Sequence, residues 1–235
     1  MTKKKAQSLV YLFEQFDRVY CINLSFRKDR WVETQNQLIR LGIKNVERFS
    51  AVENKKNPAK GCADSHEFLI KNAKKNGFKQ ILILEDDVEI LTKNIVSVDG
   101  VIRFLKTNKN WTLFYLGGRA IVKSKNISKN VVKGRFYSTH AYAVNILNYD
   151  FHIPIELPID VFYSNQFDES FCAYPILAGQ RESYSDISKK NIDWKNSEFE
   201  QSLFLSKYLP TNFIKILFAL TEKKKRLIQF FSNNR

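Results

Sequence analysis

Glu85, Asp86 and Asp87 stand side by side directly after Ile81-Leu82-Ile83-Leu84. Four β-favouring apolar residues in a row read as a strand buried on both faces, the kind a parallel α/β sheet contains. The carboxyl ends of such strands are where open α/β sheets hold their ligands. Three adjacent carboxylates repel one another until something neutralises them, and hard oxygen ligands of this kind suit Mg²⁺ or Mn²⁺. This pattern predicts a metal-diphosphate site. The plainer alternative is a solvated loop whose Asp caps a following helix.

Other residues with chemistry to offer are scattered. Arg27 and Arg30 follow the apolar run Val19-Tyr20-Cys21-Ile22-Asn23-Leu24, with Asp29 between them. At that place an arginine holds phosphate or stacks on a base, unless the loop is simply solvated and basic. Pro158-Ile159-Asp160-Val161-Phe162 sets one carboxylate among apolar residues, where burial would raise its pKa and suit it to general-base work; an Asp just after a proline is also a common turn residue. His140 and Asp186 are further possible ligands. His66 reads as a structural hydrogen-bonder.

The elements that must position these residues alternate. A helix over about 6–16 precedes the strand at 19–24, and helical spacing over 31–41 ends at Gly42. A short strand near 46–50 is followed by a helix over 62–76, opened by Gly61-Cys62-Ala63-Asp64-Ser65-His66 with Asp64 or Ser65 as its cap and ended by Gly77. The amino end of that helix is a place for a diphosphate. Strands follow at 80–85, 111–116 and 137–145. The stretch 167–176 reads as strand and loop, limited to a sheet edge by Pro175. The polar stretch 183–196 reads as mobile. This order predicts an α/β fold: one Rossmann-like domain with a mostly parallel central sheet flanked by helices. The catalytic domain is expected over 1–198, and a basic amphipathic helical tail over 199–235.

The chain has 235 residues, 44% of them hydrophobic, which is enough to bury a real core and argues against disorder. Its formal charge of +14 implies an anionic partner. Lys3-Lys4-Lys5 and Lys223-Lys224-Lys225-Arg226 concentrate that charge near the two ends. In the tail, Phe213, Leu217, Leu220, Leu227 and Phe231 fall at helical intervals beside the basic cluster, a pattern for lying in an anionic membrane interface or packing on protein. Cys21, Cys62 and Cys172 are widely spaced and suggest neither a zinc site nor a disulfide framework, so a reducing compartment is expected. Cys21 and Cys62 read as buried small hydrophobes. No run approaches the roughly 20 apolar residues of a membrane-spanning helix. A polyanion binder gains nothing from three clustered carboxylates, so nucleic acid is not the expected partner.

Taken in order, Val19 to Leu24 with Arg27, Asp29 and Arg30, then Gly61-Cys62-x-x-Ser65-His66, Leu82 to Val88, Thr139-His140-Ala141-Tyr142 and Pro158-Ile159-Asp160 resemble glycosyltransferase family 25. That family holds the lipooligosaccharide galactosyltransferases of bacteria and their collagen-galactosyltransferase relatives. The resemblance runs over about residues 17–187. It implies an A-type nucleotide-sugar transferase fold and an inverting reaction with a UDP-sugar donor, usually UDP-galactose, and Mn²⁺. Carried across, Asp87 would ligate the Mn²⁺ (or Mg²⁺), with Asp186 the best match for a second ligand. Glu85 or Asp86 would contact the ribose or sugar, and Asn23, Arg27 and Arg30 would lie by the nucleotide. Where the family carries a Leu-Thr-x-x-Glu-like lead before Gly-Cys, this chain has Lys55 to Lys60.

The reading that follows is a metal-dependent hexosyltransferase, cytoplasmic and peripheral at the inner face of a membrane. Its acceptor is a lipid-linked lipooligosaccharide or other surface glycan, Asp160 is its base, and its tail is the membrane contact. A nucleotidyltransferase using the same acidic cluster is the first rival. A non-catalytic basic binding protein is the second.

Overall fold

The computed structural model describes residues 3–122, 124–150, 152–153, 158–166, 170–192, 202, 204–214 and 216. The first half alternates as expected: α1 (Lys3–Phe13), β1 (Arg18–Asn23), α2 (Lys28–Arg40), β2 (Val46–Ser50), α3 (Pro58–Lys75) and β3 (Gln80–Glu85). Then come β4 (Val88–Ile90), α4 (Val98–Thr107), β5 (Leu113–Tyr115), β6 (Arg119–Ala120), β7 (Lys125–Ser128), β8 (Val131–Lys133), β9 (Phe136–Tyr137) and β10 (Ala141–Asn145). The remaining elements are α5 (Ile159–Gln166), β11 (Ser170–Ala173), β12 (Ala178–Gln180), β13 (Ser183–Ser185) and β14 (Lys190–Ile192).

Among the described residues the central sheet has eight strands in the order β2-β1-β3-β10-β5-β11-β8-β7. β1 pairs in parallel with both β2 and β3, and β5 pairs in parallel with β11. β10 is antiparallel to both its neighbours, and β8 to both of its own. The strands therefore share one direction except β10 and β8. Alternate residues of β3 serve opposite cores. Leu82 and Leu84 pack with residues of α1, α2 and α4; Ile81 and Ile83 pack with residues of α3 and α5. All four are fully buried, which explains why this strand shows no apolar-polar alternation in the sequence. Helices on both faces make a three-layer α/β domain.

Gly42 and Gly77 end α2 and α3 with φ of +79° and +70°, the left-handed stop that glycine adopts freely. Three expectations are corrected. α3 begins at Pro58, not at Cys62: proline occupies its first turn and the Asn57 side chain accepts from the Lys60 amide, so neither Asp64 nor Ser65 is the cap. Gly61 is then a helix-interior residue, and a Cβ there would lie 2.5 Å from the Val52 carbonyl oxygen. The stretch around 170 is not an edge, since β11 is paired on both sides and Pro175 lies beyond its end. Residues 183–192, expected to be mobile, form the β13–β14 hairpin.

The described part of the expected tail lies against the domain. Ser206 is fully buried, its carbonyl accepts from the Ser124 amide, and Ile214 is buried. Phe213 is exposed. Leu217, Leu220, Leu227, Phe231 and the basic cluster 223–226 lie outside the described residues. Among the described residues no helix is long and apolar enough to cross a membrane.

Candidate functional site

β3 delivers its last residue, Glu85, and the turn Asp86-Asp87 to the carboxyl ends of the parallel strands β1 and β3. A cavity of about 490 Å³ opens there. Arg30, Glu85, Asp86, Asp87, Asp160 and Asp186 all line it, so six of the eight residues singled out from sequence meet in one place. Asn23 and Arg27 stand behind the wall, each touching a residue that forms it.

The acidic turn is neutralised by protein. The Arg30 guanidinium lies 2.9 Å from Asp86 Oδ1 and 2.7 Å from Asp87 Oδ2, bridging the two carboxylates. Asn23 donates to Asp86 Oδ2 at 2.5 Å. Its own amide oxygen is taken by Arg48, at 2.9 Å and 2.6 Å, which fixes the orientation of the amide. Arg30, expected beside a nucleotide, is thus committed to carboxylates while still facing the cavity. Burial raises the Asp86 pKa to about 6; the Arg30 charge and the Asn23 hydrogen bond counter it only in part, and Asp87 adds to it. Asp87 is also raised, by burial first and then by the Glu85 charge. One of its oxygens, Oδ1, is buried without a hydrogen-bond partner.

Glu85 is different. Burial works to raise its pKa, but His66 and a hydrogen bond from Thr139 Oγ1, at 2.7 Å, hold it below the usual value. His66 Nε2 is 3.5 Å from Glu85 Oε1, and His66 Nδ1 is 2.9 Å from the Tyr142 hydroxyl. Cys62, one turn before His66, lines the cavity with them and is not the simple core residue its neighbours suggested. His140, weighed as a ligand, is fully buried with Nε2 3.3 Å from the Ala178 carbonyl oxygen, and burial lowers its pKa.

Asp160 sits in the first turn of α5, with Oδ1 accepting from the Val161 amide at 2.8 Å. Burial raises its pKa, the shift a general base near neutrality needs. Asp186, in the turn of the β13–β14 hairpin, is bound to Arg27 at 2.5 Å; Arg27 also holds Asp29 through two hydrogen bonds. Arg27 thereby ties the hairpin to the end of β1. Among the described residues, neither Asp87 nor Asp186 joins two further Cys, His, Asp or Glu ligands at close range.

Arg181 is the structural residue that sequence reasoning missed. Its guanidinium donates to the carbonyls of Asp86 and Val88, both at 2.6 Å, and to Thr34 Oγ1 at 2.7 Å. Its own amide donates to the Asp87 carbonyl at 2.8 Å. Thr34, buried in the middle of α2, donates to the Asp86 carbonyl at 2.7 Å. The acidic turn is therefore held by its backbone from α2 and from the residue after β12. No local pattern marks Arg181, which follows a short strand like any surface arginine.

No family model matches the chain, and neither does any curated protein. Among solved structures it is similar to A197 from STIV, with a TM-score of 0.46 and 10% identity over 76% of this chain and 94% of that one. It is similar to a glycosyltransferase involved in the glycosylation of the major capsid of PBCV-1, with a TM-score of 0.44 and 10% identity over 80% of this chain and 98% of that one. It is also similar to a cytidylyltransferase from Leptospira borgpetersenii serovar Hardjo-bovis, with a TM-score of 0.35 and 14% identity over 95% and 84%. Likenesses this distant decide nothing about activity.

Proposed function

We propose that this chain is a nucleotide-sugar-dependent glycosyltransferase whose donor diphosphate is held at Asp87 through Mn²⁺ or Mg²⁺. The observation that carries the reading is Asp87 Oδ1: a buried carboxylate oxygen without a hydrogen-bond partner, on a residue that lines a cavity of about 490 Å³ at the carboxyl end of a buried strand. An oxygen donor of that kind fits a hard divalent cation. Bound there, the ion supplies charge neutralisation to the diphosphate leaving group.

The chain's own residues do the rest. Arg30 keeps Asp86 and Asp87 together, Arg181 and Thr34 fix their backbone, and Thr139 fixes the Glu85 carboxylate beside them. Asp160, from another part of the cavity wall, takes the proton from the acceptor hydroxyl. The further assignments follow the family resemblance: a UDP-hexose donor with galactose first, a surface-glycan acceptor such as lipooligosaccharide, and peripheral membrane attachment through the tail.

Calorimetric titration of UDP with and without Mn²⁺, into wild type and Asp87→Asn, tests this reading. Metal-dependent binding that the variant loses supports it. Absence of UDP binding with either metal sinks the UDP-sugar donor. Pyrophosphate release from a nucleoside triphosphate, in place of sugar transfer from a nucleotide sugar, assigns the cavity to nucleotidyl transfer instead.

A further inference from the structure

We propose that Cys62, His66 and Glu85 form a second cation site, distinct from Asp87 and built for a thiolate-binding transition metal of the Zn²⁺ class. The thiol sulfur, an imidazole nitrogen and a carboxylate oxygen lie within 4.8 Å of one another. Cys62 and His66 are one helical turn apart on α3, so they present side by side, and Glu85 reaches them from the end of β3. Metal–nitrogen and metal–oxygen bonds of about 2.0–2.2 Å at a tetrahedral angle put two ligand atoms ~3.4 Å apart. His66 Nε2 and Glu85 Oε1 are 3.5 Å apart. The sulfur lies within 4.8 Å of both, against the ~3.6 Å that a metal–sulfur bond of about 2.3 Å requires, a gap that a side-chain rotation can close.

His66 supplies the independent sign of a missing partner. Its side chain is fully buried, and Nε2 makes no hydrogen bond. Placing the ring proton on Nδ1 lets it donate to the Tyr142 hydroxyl, 2.9 Å away, which in turn lies 3.2 Å from the Tyr163 hydroxyl. Without metal, Nε2 faces the Glu85 carboxylate at 3.5 Å; with the ring proton on Nδ1, its lone pair is free for a cation held between Glu85 and Cys62, the arrangement that metal-ligating histidines adopt with their outer hydrogen-bond partners. Thr139 orients the carboxylate in the same way. All three ligands line the cavity, so a fourth coordination position opens into it. Sulfur and imidazole select Zn²⁺ or Co²⁺ over the Mg²⁺ or Mn²⁺ that suits Asp87. Binding displaces the thiol proton, which leaves to solvent as the Cys62 sulfur becomes a thiolate ligand.

The test is Co²⁺ titration of the full chain without nucleotide, read by absorbance. Wild type is expected to show a thiolate-to-cobalt charge-transfer band in the near ultraviolet together with intense visible bands of low-coordinate cobalt. Cys62→Ser should abolish the charge-transfer band, and His66→Gln should weaken binding by roughly tenfold or more. Asp87→Asn should leave both bands in place, and it separates this site from the donor reading, which fails or stands on UDP binding alone. A wild type without the charge-transfer band overturns the proposal, as does a band that survives Cys62→Ser or vanishes in Asp87→Asn. Should Cys62→Ser fail to fold, the wild-type band and its response to His66→Gln decide, and an unchanged affinity in His66→Gln overturns it.

Discussion

Replacing Asp86 by asparagine should stabilise the protein, and the gain should grow with pH. Burial raises the folded-state pKa of Asp86 to about 6 from its ordinary 3.8, with Arg30 and Asn23 only partly countering the loss of solvation. The folded chain therefore holds this proton more tightly than the unfolded one. The stability tied to that proton is complete below the unfolded pKa and is lost as pH rises through the folded value. A shift of roughly two units at ~1.4 kcal/mol each gives about 3 kcal/mol in full. Distributed by linkage, the loss begins near pH 4, is about half complete near pH 5 and reaches about 3 kcal/mol near pH 7. Asparagine matches the size of aspartate, can still pair with Asn23, and leaves Arg30 its bond to Asp87. Urea unfolding of both proteins across that range gives the difference directly. A variant whose advantage is flat with pH, or that loses ground as pH rises, would refute the argument that ionised Asp86 is a cost the fold carries for its site.

Asp160→Asn should lower kcat by roughly 10²–10⁴-fold while UDP affinity stays unchanged. In wild type the acid limb of the rate profile should be shifted upward from the ordinary aspartate value, because burial raises the Asp160 pKa; persistence of that limb in the variant removes Asp160 from the base role. Arg181→Met leaves the Asp86 and Val88 carbonyls without their guanidinium donor, and chemical denaturation should show a loss of about 3 kcal/mol. Gly117→Ala puts a Cβ 1.8 Å from the Ala178 carbonyl oxygen, a backbone atom that cannot turn aside, so thermal melting should show destabilisation of roughly 1–3 kcal/mol or more.

The strand that carries the site was legible because burial on both faces leaves an unmistakable run of four apolar residues, Ile81 to Leu84. Gly42 and Gly77 marked helix ends because left-handed backbone selects for glycine. Directions and partners were less legible. β10 reads as a strand, yet nothing in Ala141 to Asn145 says that it runs against β3 and β5. Pro175 suggested an edge because proline is barred from a ladder, but it stands two residues after the strand ends at Ala173, and counting it with the strand reversed the inference. Within the site, the carboxylates declared themselves by being adjacent. Their partners did not: Arg181 lies 95 positions from Asp86 and 147 from Thr34, and contacts at that separation leave no trace in local spacing. His66 was read as a structural hydrogen-bonder, which its bond to Tyr142 supports; its place beside Cys62 follows from helical spacing, but its nearness to Glu85 depends on how α3 lies against β3.

The position of Arg30 has a consequence for how the chain matures. Asn23, Arg30, Thr34, Arg48 and the acidic turn all belong to the first 87 residues, whose strands pair in parallel with one another. The emerging chain thus carries counter-charges for its own carboxylates before any of the later segments exist. Thr139, Asp160, Arg181 and Asp186 are added across much longer loops, whose closure is slower and costlier in entropy. The segment that bears the acidic turn thus brings Arg30, the partner of Asp86 and Asp87, with it. The later segments complete a cavity wall that the first already begins with Arg30, Cys62 and His66, and the Arg27–Asp186 bond, spanning 159 positions, closes one of its longest loops.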